Sequence, residues 1–300
     1  MTAAPGTRSG AGTGAAPGPV AVIGATGSTG RRVVAALHRR GVPVVAVSRG
    51  ANGTDPGDGV VEARHGDLRA PESLQLALAD VAAVYVIPPT FQRDEAELLS
   101  NAAAACQRAG VPRVVLHSVL HPHCPSMSHH LRKADGEDAL RRTNCRWTVL
   151  QPAMYTQTVS EVLLSHARDG VVPVPWNPAS RLSAVHLGDV AEAAAVVLTE
   201  PGHDYASYEL AGPAALSVTQ MVASAAAASG QQLRAQQVPV GAVLPYLPGS
   251  PQAQTLGAMC REYDSHGLLG NPRVLAMLLG REPTSFADAY AQDLAAAALV

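Results

Sequence analysis

The chain has 300 residues, 47% of them apolar and only 15% charged, with a formal net charge of −2. That length buries a sizeable core and suits one large domain, or a large one with a small one. The charge balance excludes the strongly basic face of a nucleic-acid binder, and no apolar run approaches the roughly 18 residues of a membrane span.

Residues 1–18 are rich in Gly, Ala and Pro and lack the apolar centre of a signal peptide, so they read as a disordered tail. VAVIGA (20–25) is a short apolar run entering a Gly-rich turn, the pattern of a buried parallel strand. RRVVAALHRRG (31–41) has helical spacing and Gly41 as its stop. PVVAVSR (43–49) and VVEARHGDL (60–68) follow as strands, then PESLQLALAD (71–80) as a helix opening on proline. VAAVYVIPP (81–89) is a fourth strand, halted by two prolines. A helix over 94–110, a strand over 111–119, a helix over 132–144 and a sixth strand, RWTVLQPAMY (146–155), complete the regular part. Pro-rich loops then appear at 171–181 and 244–252, around one clean helix, HLGDVAEAAAVVLTEPG (186–202), with Asp189 in its first turn.

Strands alternating with helices require crossover connections and a parallel sheet covered on both faces. The expected fold class is therefore α/β, a doubly wound parallel sheet of the Rossmann kind with a smaller, mostly C-terminal lobe. A nucleotide-binding domain is expected over 19–155 and a substrate lobe over 156–300, with 186–202 packing back on the first domain. The four cysteines are widely spaced with no C-x-x-C, which fits free thiols in a reducing cytoplasm.

GATGSTG (24–30) follows the first strand and opens a helix, the context a dinucleotide loop requires. Gly24 permits the tight turn, Gly27 lets the backbone approach a pyrophosphate, and Gly30 lets the helix pack close to the strand. Ala25, Thr26, Ser28 and Thr29 complete the loop, and the helix N-terminus presents its amides to the anion. At the end of the second strand stands Ser48-Arg49 rather than an acid; the first acid beyond it is Asp55. A guanidinium suits a 2′-phosphate by charge and fork geometry, which favours NADP(H) over NAD(H).

With these pieces in place the chain resembles the NmrA-like family of atypical short-chain dehydrogenases, which includes NADPH-dependent quinone oxidoreductases and redox-sensing regulators. The matching segments run from about residue 20 to 290: GATGSTG, HGDL, VYVIPP, HSV, RKADGEDAL, WTVLQPAMY, HLGDVAEAAAVVL, YELAGPAALS and HGLLGNPRVLAMLLGREPTSFADAY. The resemblance implies that Asp67-Leu68 lies beside the adenine and Ile87-Pro88 lines the cofactor cleft. It places Ser118 at the usual serine position, Lys133 at the nicotinamide ribose, and Pro152 to Tyr155 near the nicotinamide.

Typical short-chain dehydrogenases carry Tyr-x-x-x-Lys, where this chain has His129-x-x-x-Lys133. By count alone His129 takes the tyrosine's place and could act as a general acid near neutral pH; against this, many NmrA-like proteins lack the tyrosine. Lys133 reads as a ribose ligand before it reads as a catalyst. Tyr155 could stack on the nicotinamide or belong to the core, and Trp176 is a candidate pocket wall. The histidines at 117, 121, 123, 129 and 130, with Cys124, lack the spacing of a zinc site, so no metal is expected. No G-x-S-x-G elbow supports a hydrolase. The expected function is an NADPH-dependent oxidoreductase passing hydride to a quinone or other conjugated carbonyl compound. The alternatives are a non-catalytic NADP(H) sensor and, behind it, an NADP-dependent isomerase or epimerase. The expected partner is a small molecule, with a homodimer allowed and neither nucleic acid nor membrane involved.

Overall fold

The computed structural model describes residues 18–50, 58–166, 169–243 and 248–297. Most of the expected tail, Asp55 and residues 244–247 of the second Pro-rich loop lie outside the described residues. The chain begins β1 (Val20–Ile23), α1 (Ser28–Arg39), β2 (Val44–Ser48), β3 (Val60–His65), α2 (Pro71–Ala77), β4 (Ala83–Val86) and α3 (Glu95–Arg108). It continues through β5 (Arg113–His117), α4 (Ser128–Arg141) and β6 (Arg146–Pro152). Then follow α5 (Thr156–Ser165), β7 (Val171–Val174), β8 (Arg181–Leu182), α6 (Leu187–Thr199), β9 (Ala206–Leu210), β10 (Leu216–Ser217) and α7 (Val218–Ser229). The last elements are β11 (Arg234–Gln237), α8 (Pro251–His266), α9 (Arg273–Leu279) and α10 (Phe286–Ala297).

The central sheet has seven parallel strands in the order β3-β2-β1-β4-β5-β6-β9. This is the doubly wound arrangement expected from the alternation. Its inner strands are buried on both faces, so successive residues feed two separate cores. Val20, Val22, Ala46, Tyr85 and Val115 pack on one side beneath α1 and α6. Ala21, Ile23, Val45, Val84 and Leu116 pack on the other against α2, α3 and α4. The edge strand β3 is largely exposed, and an ion pair at 2.7 Å links its Glu62 and Arg64.

Three expectations are corrected. The helix expected from residue 132 starts a turn earlier, at Ser128, so His129 and Lys133 both lie on α4. A seventh strand, β9, joins the sheet beside β6. The region beyond residue 155, expected to be irregular apart from the helix at 186–202, carries α5 and α7 to α10 among the described residues. Strand order reverses between β1 and β4, where chains leave in opposite directions and open a crevice at the carboxyl ends.

Candidate functional site

The glycine loop sits at this reversal. Gly24 has φ +84°, and a Cβ there would lie 3.2 Å from the Ile87 carbonyl oxygen. Gly30 is more constrained: its Cβ would lie on the Gly24 carbonyl and against the Ala25 backbone. Gly27 differs from both. Its φ of −75° is open to any residue, and a Cβ would make only an ordinary contact at 3.4 Å with Gly24. Gly27 is the N-cap of α1 without a side-chain cap, and the first turn of α1 holds no acid. The amides of Ser28, Thr29 and Gly30 head this helix, with no acidic side chain in its first turn to receive them.

Beside the loop lies a cleft of about 390 Å³. Gly24, Thr26, Gly27, Ser48, Arg49, Asp67, Leu68, Ile87 and Pro88 all line it, and so does Arg69, which the sequence reading passed over. Arg49 is exposed at the rim, with its carbonyl 3.1 Å from His65 Nδ1. Asp67 Oδ1 accepts from the Arg69 amide, and Arg69 pairs with Asp94 at 2.7 Å. Ser48 Oγ donates to the Gly50 carbonyl. A helix-capping glycine loop with no acid in its first turn and room at Gly27, joined to a cleft of about 390 Å³, fits a dinucleotide.

The residues taken from the short-chain dehydrogenase pattern are arranged differently. Ser118 is buried, and its Oγ donates to Glu137 Oε1 at 2.5 Å. Glu137 also accepts from Gln151 and pairs with Arg141 at 2.9 Å. The Ser118 hydroxyl is thus committed to the β5–α4–β6 interior and not to the cleft. Lys133 is 5% exposed and pairs at 2.5 Å with Glu95, which is fully buried at the start of α3. Burial pushes the Glu95 carboxyl up against the pull of Lys133 and Arg132. His129 is 3% exposed and packs on Phe91, ring centroids 5.1 Å apart, and on His130. Burial first, then His130, Lys133 and Arg132, lowers it to about 3. Its burial against Phe91 and that lowered value both favour the uncharged imidazole over an imidazolium.

Tyr155 is the half-buried group at the carboxyl end of β6. Its hydroxyl lies 2.6 Å from His117 Nε2, and His117 Nδ1 lies 2.7 Å from the hydroxyl of Tyr85. Thr29, in the first turn of α1, lies near enough to offset part of the rise that burial causes in Tyr155. Burial, with a smaller push from Lys133, lowers His117 to about 3; burial raises Tyr155 to about 12. This tyrosine–histidine–tyrosine column was not foreseen: its members are 32 and 38 residues apart, and no local pattern announces it. Trp176, expected as a pocket wall, packs edge-on to Tyr263 of α8, ring centroids 5.3 Å apart. Among the described residues no three His, Cys, Asp or Glu side chains gather as a metal cage, and no helix is long and apolar enough to cross a membrane.

Comparison with known proteins places this architecture. The chain is 28% identical over 218 residues to an NAD(P)H azoreductase of Xenophilus azovorans, covering 72% of this chain and 75% of the relative. It superposes with TM-score 0.81 and 25% identity on the NADPH-dependent quinone oxidoreductase of Escherichia coli complexed with NADPH, covering 92% of this chain and 99% of that one. A third likeness is to Citrobacter sp. triphenylmethane reductase complexed with NADP(H), with TM-score 0.81, 26% identity and coverage of 91% and 99%. The NmrA-like family model matches residues 18–290, nearly the whole described fold, and the chain belongs to that family.

Proposed function

We propose that the protein is an NADPH-dependent oxidoreductase that passes hydride to a quinone or another conjugated carbonyl compound. The observation that carries the reading is the loop at the β1–β4 reversal. Its uncapped helix N-terminus, with no acid in the first turn, and the space at Gly27 suit a pyrophosphate. Arg49 at the adenosine end offers a cation where an NAD site would offer an acid, and a 2′-phosphate suits it; Arg69, paired with Asp94, lines the same end. Asp67, Leu68, Ile87 and Pro88 would flank the base and the cleft floor, with Tyr155 toward the nicotinamide end. The bound nicotinamide would supply the hydride, and the chain's own residues position the acceptor beside it. The named activities of the relatives, on azo compounds, quinones and triphenylmethane dyes, are all reductions of conjugated acceptors and agree with this class.

One observation favours a second reading. Ser118, His129 and Lys133 are all committed to partners inside the protein, which is what a cofactor sensor without chemistry could tolerate. The two separate in one experiment: titrate NADPH and NADH by fluorescence, then follow loss of nicotinamide absorbance with a panel of quinones and conjugated ketones. Turnover supports the reductase, and tight binding without turnover supports the sensor. Arg49→Glu should weaken NADPH binding and spare NADH; equal losses for both would remove the NADP preference.

A further inference from the structure

A neutral imidazole has one N–H and one acceptor nitrogen, and which is which follows from its neighbours. Tyr85 has no exposed surface, and among the described residues its hydroxyl has one hydrogen-bond partner, His117 Nδ1. A buried hydroxyl proton without an acceptor is costly, so Tyr85 donates to Nδ1. The imidazole proton then sits on Nε2 and is donated to the Tyr155 oxygen. Tyr155 receives at its oxygen, so its own proton is not spent on His117. The column thus has a direction, from Tyr85 through His117 to Tyr155.

The place where that proton emerges matters. Tyr155 stands at the carboxyl end of the sheet, half-buried, beside Thr29 in the first turn behind the glycine loop. The hydroxyl of Ser118 is already given to Glu137, and His129 is sealed beneath Phe91. Resting on the reductase reading above, we propose that Tyr155 is the proton donor to the reduced acceptor, with His117 and Tyr85 as the residues that position it. A hydroxyl that burial holds protonated across the neutral range is always in its donor form.

The step balances as follows. An acceptor carbonyl carbon takes a hydride, two electrons and a proton's mass, from NADPH, which becomes NADP⁺. The carbonyl π pair moves to oxygen as the C–H bond forms. That oxygen takes the Tyr155 proton, the tyrosine O–H bond breaks, and the phenolate is held by the His117 Nε2–H. A proton from solvent restores the hydroxyl. A quinone depends less on this donor, since its reduced oxygen is a far weaker base than an alkoxide.

The test uses the full-length protein saturated with NADPH, with cofactor affinity measured separately by fluorescence titration. Tyr155→Phe should lower kcat by about 100-fold with a conjugated ketone, the size of a lost general acid, and clearly less with a quinone. A structural loss would lower both alike. Nitrogen-15 NMR of His117 gives a readout without turnover: the wild type should show Nε2–H, and Tyr85→Phe should shift population toward Nδ1–H. Unchanged ketone turnover in Tyr155→Phe, equal losses for both acceptors, or an Nδ1–H wild-type tautomer overturns the assignment alone. A wild type that binds NADPH and reduces nothing overturns the reductase reading, and this one with it.

Discussion

Two side chains on α4 show how far spacing carries an argument. His129 and Lys133 stand one turn apart on one helix, as their separation requires. Spacing cannot say what faces them. Glu95, which meets Lys133 at 2.5 Å, is on α3, and Phe91, which covers His129, precedes it. Neither contact leaves a trace near residue 130 in the chain. Lys133→Ala would leave a fully buried carboxylate without its cation and should cost about 3–5 kcal/mol of stability. Chemical denaturation would measure it, and the double variant Lys133→Met/Glu95→Gln should recover most of the loss. A Lys133→Ala protein as stable as wild type would show that the pair contributes nothing. His129→Phe, filling a similar space beside Phe91, should keep turnover within about threefold and leave the pH profile between 6 and 8 unchanged, because a core imidazole lowered to about 3 has no charge to lose there. A profile that loses a limb in the variant would return His129 to catalysis.

At the scale of elements, short apolar runs between turn signals marked the first six strands and most of their helices. Those runs work because the inner strands are buried on both faces and need no alternation. The edges were harder. β9 exposes alternate residues and pairs with β6 across more than 50 residues, so only the fold reveals it as a seventh strand. Helix α7 did carry a local mark: Ser217 accepts from the Gln220 amide while the Gln220 side chain accepts from the Ser217 amide, a capping box readable as S-x-x-Q. The glycine loop was the most legible element, yet its glycines are unequal. Gly30→Ala forces a Cβ into the Gly24 carbonyl and should distort the loop, lowering both the melting temperature and NADPH binding. Gly27→Ala meets only a 3.4 Å contact, so its stability should stay within about 1 kcal/mol of wild type. Its NADPH affinity should fall at least about tenfold, as a methyl group enters the space left for pyrophosphate. Paired melts and titrations separate the two, and a Gly27→Ala protein that binds normally would contradict the proposed pyrophosphate position.

Across the whole molecule, the chain is tied together by buried polar groups from distant segments. Asp189, at the head of α6, accepts from the Thr284 amide and hydroxyl and pairs with Arg281, fastening residues 281–284 to the sheet layer. Desolvation opposes its charge, but the nearby His186 ring, 3.9 Å away, and the hydrogen bonds from Thr284 and Arg281 prevail and hold it at about 2. Its stabilising contribution is present above the unfolded aspartate value of about 3.9 and is lost only as pH falls toward 2. The histidines act earlier. His117, His129 and His130 are lowered mainly by burial, to about 3, 3 and 4. Their folded values lie below the unfolded value of about 6.5, so on acidification the unfolded chain takes up protons first. Their contribution is whole above pH about 6.5 and declines through the window down to 3–4. Each withheld proton costs about 1.4 kcal/mol per pH unit, or roughly 2 kcal/mol per histidine between pH 6.5 and 5. Glu95, raised by burial, works in the opposite direction on the same descent and offsets part of this. The melting temperature should therefore begin to fall just below pH 6.5, long before the Asp189 clasp protonates. In His129→Phe the drop between pH 7 and 5 should shrink by about a third, one of three such groups being gone. Calorimetric melts across that range decide it: a flat melting temperature down to pH 4.5 would mean that the three imidazoles are not held neutral in the fold.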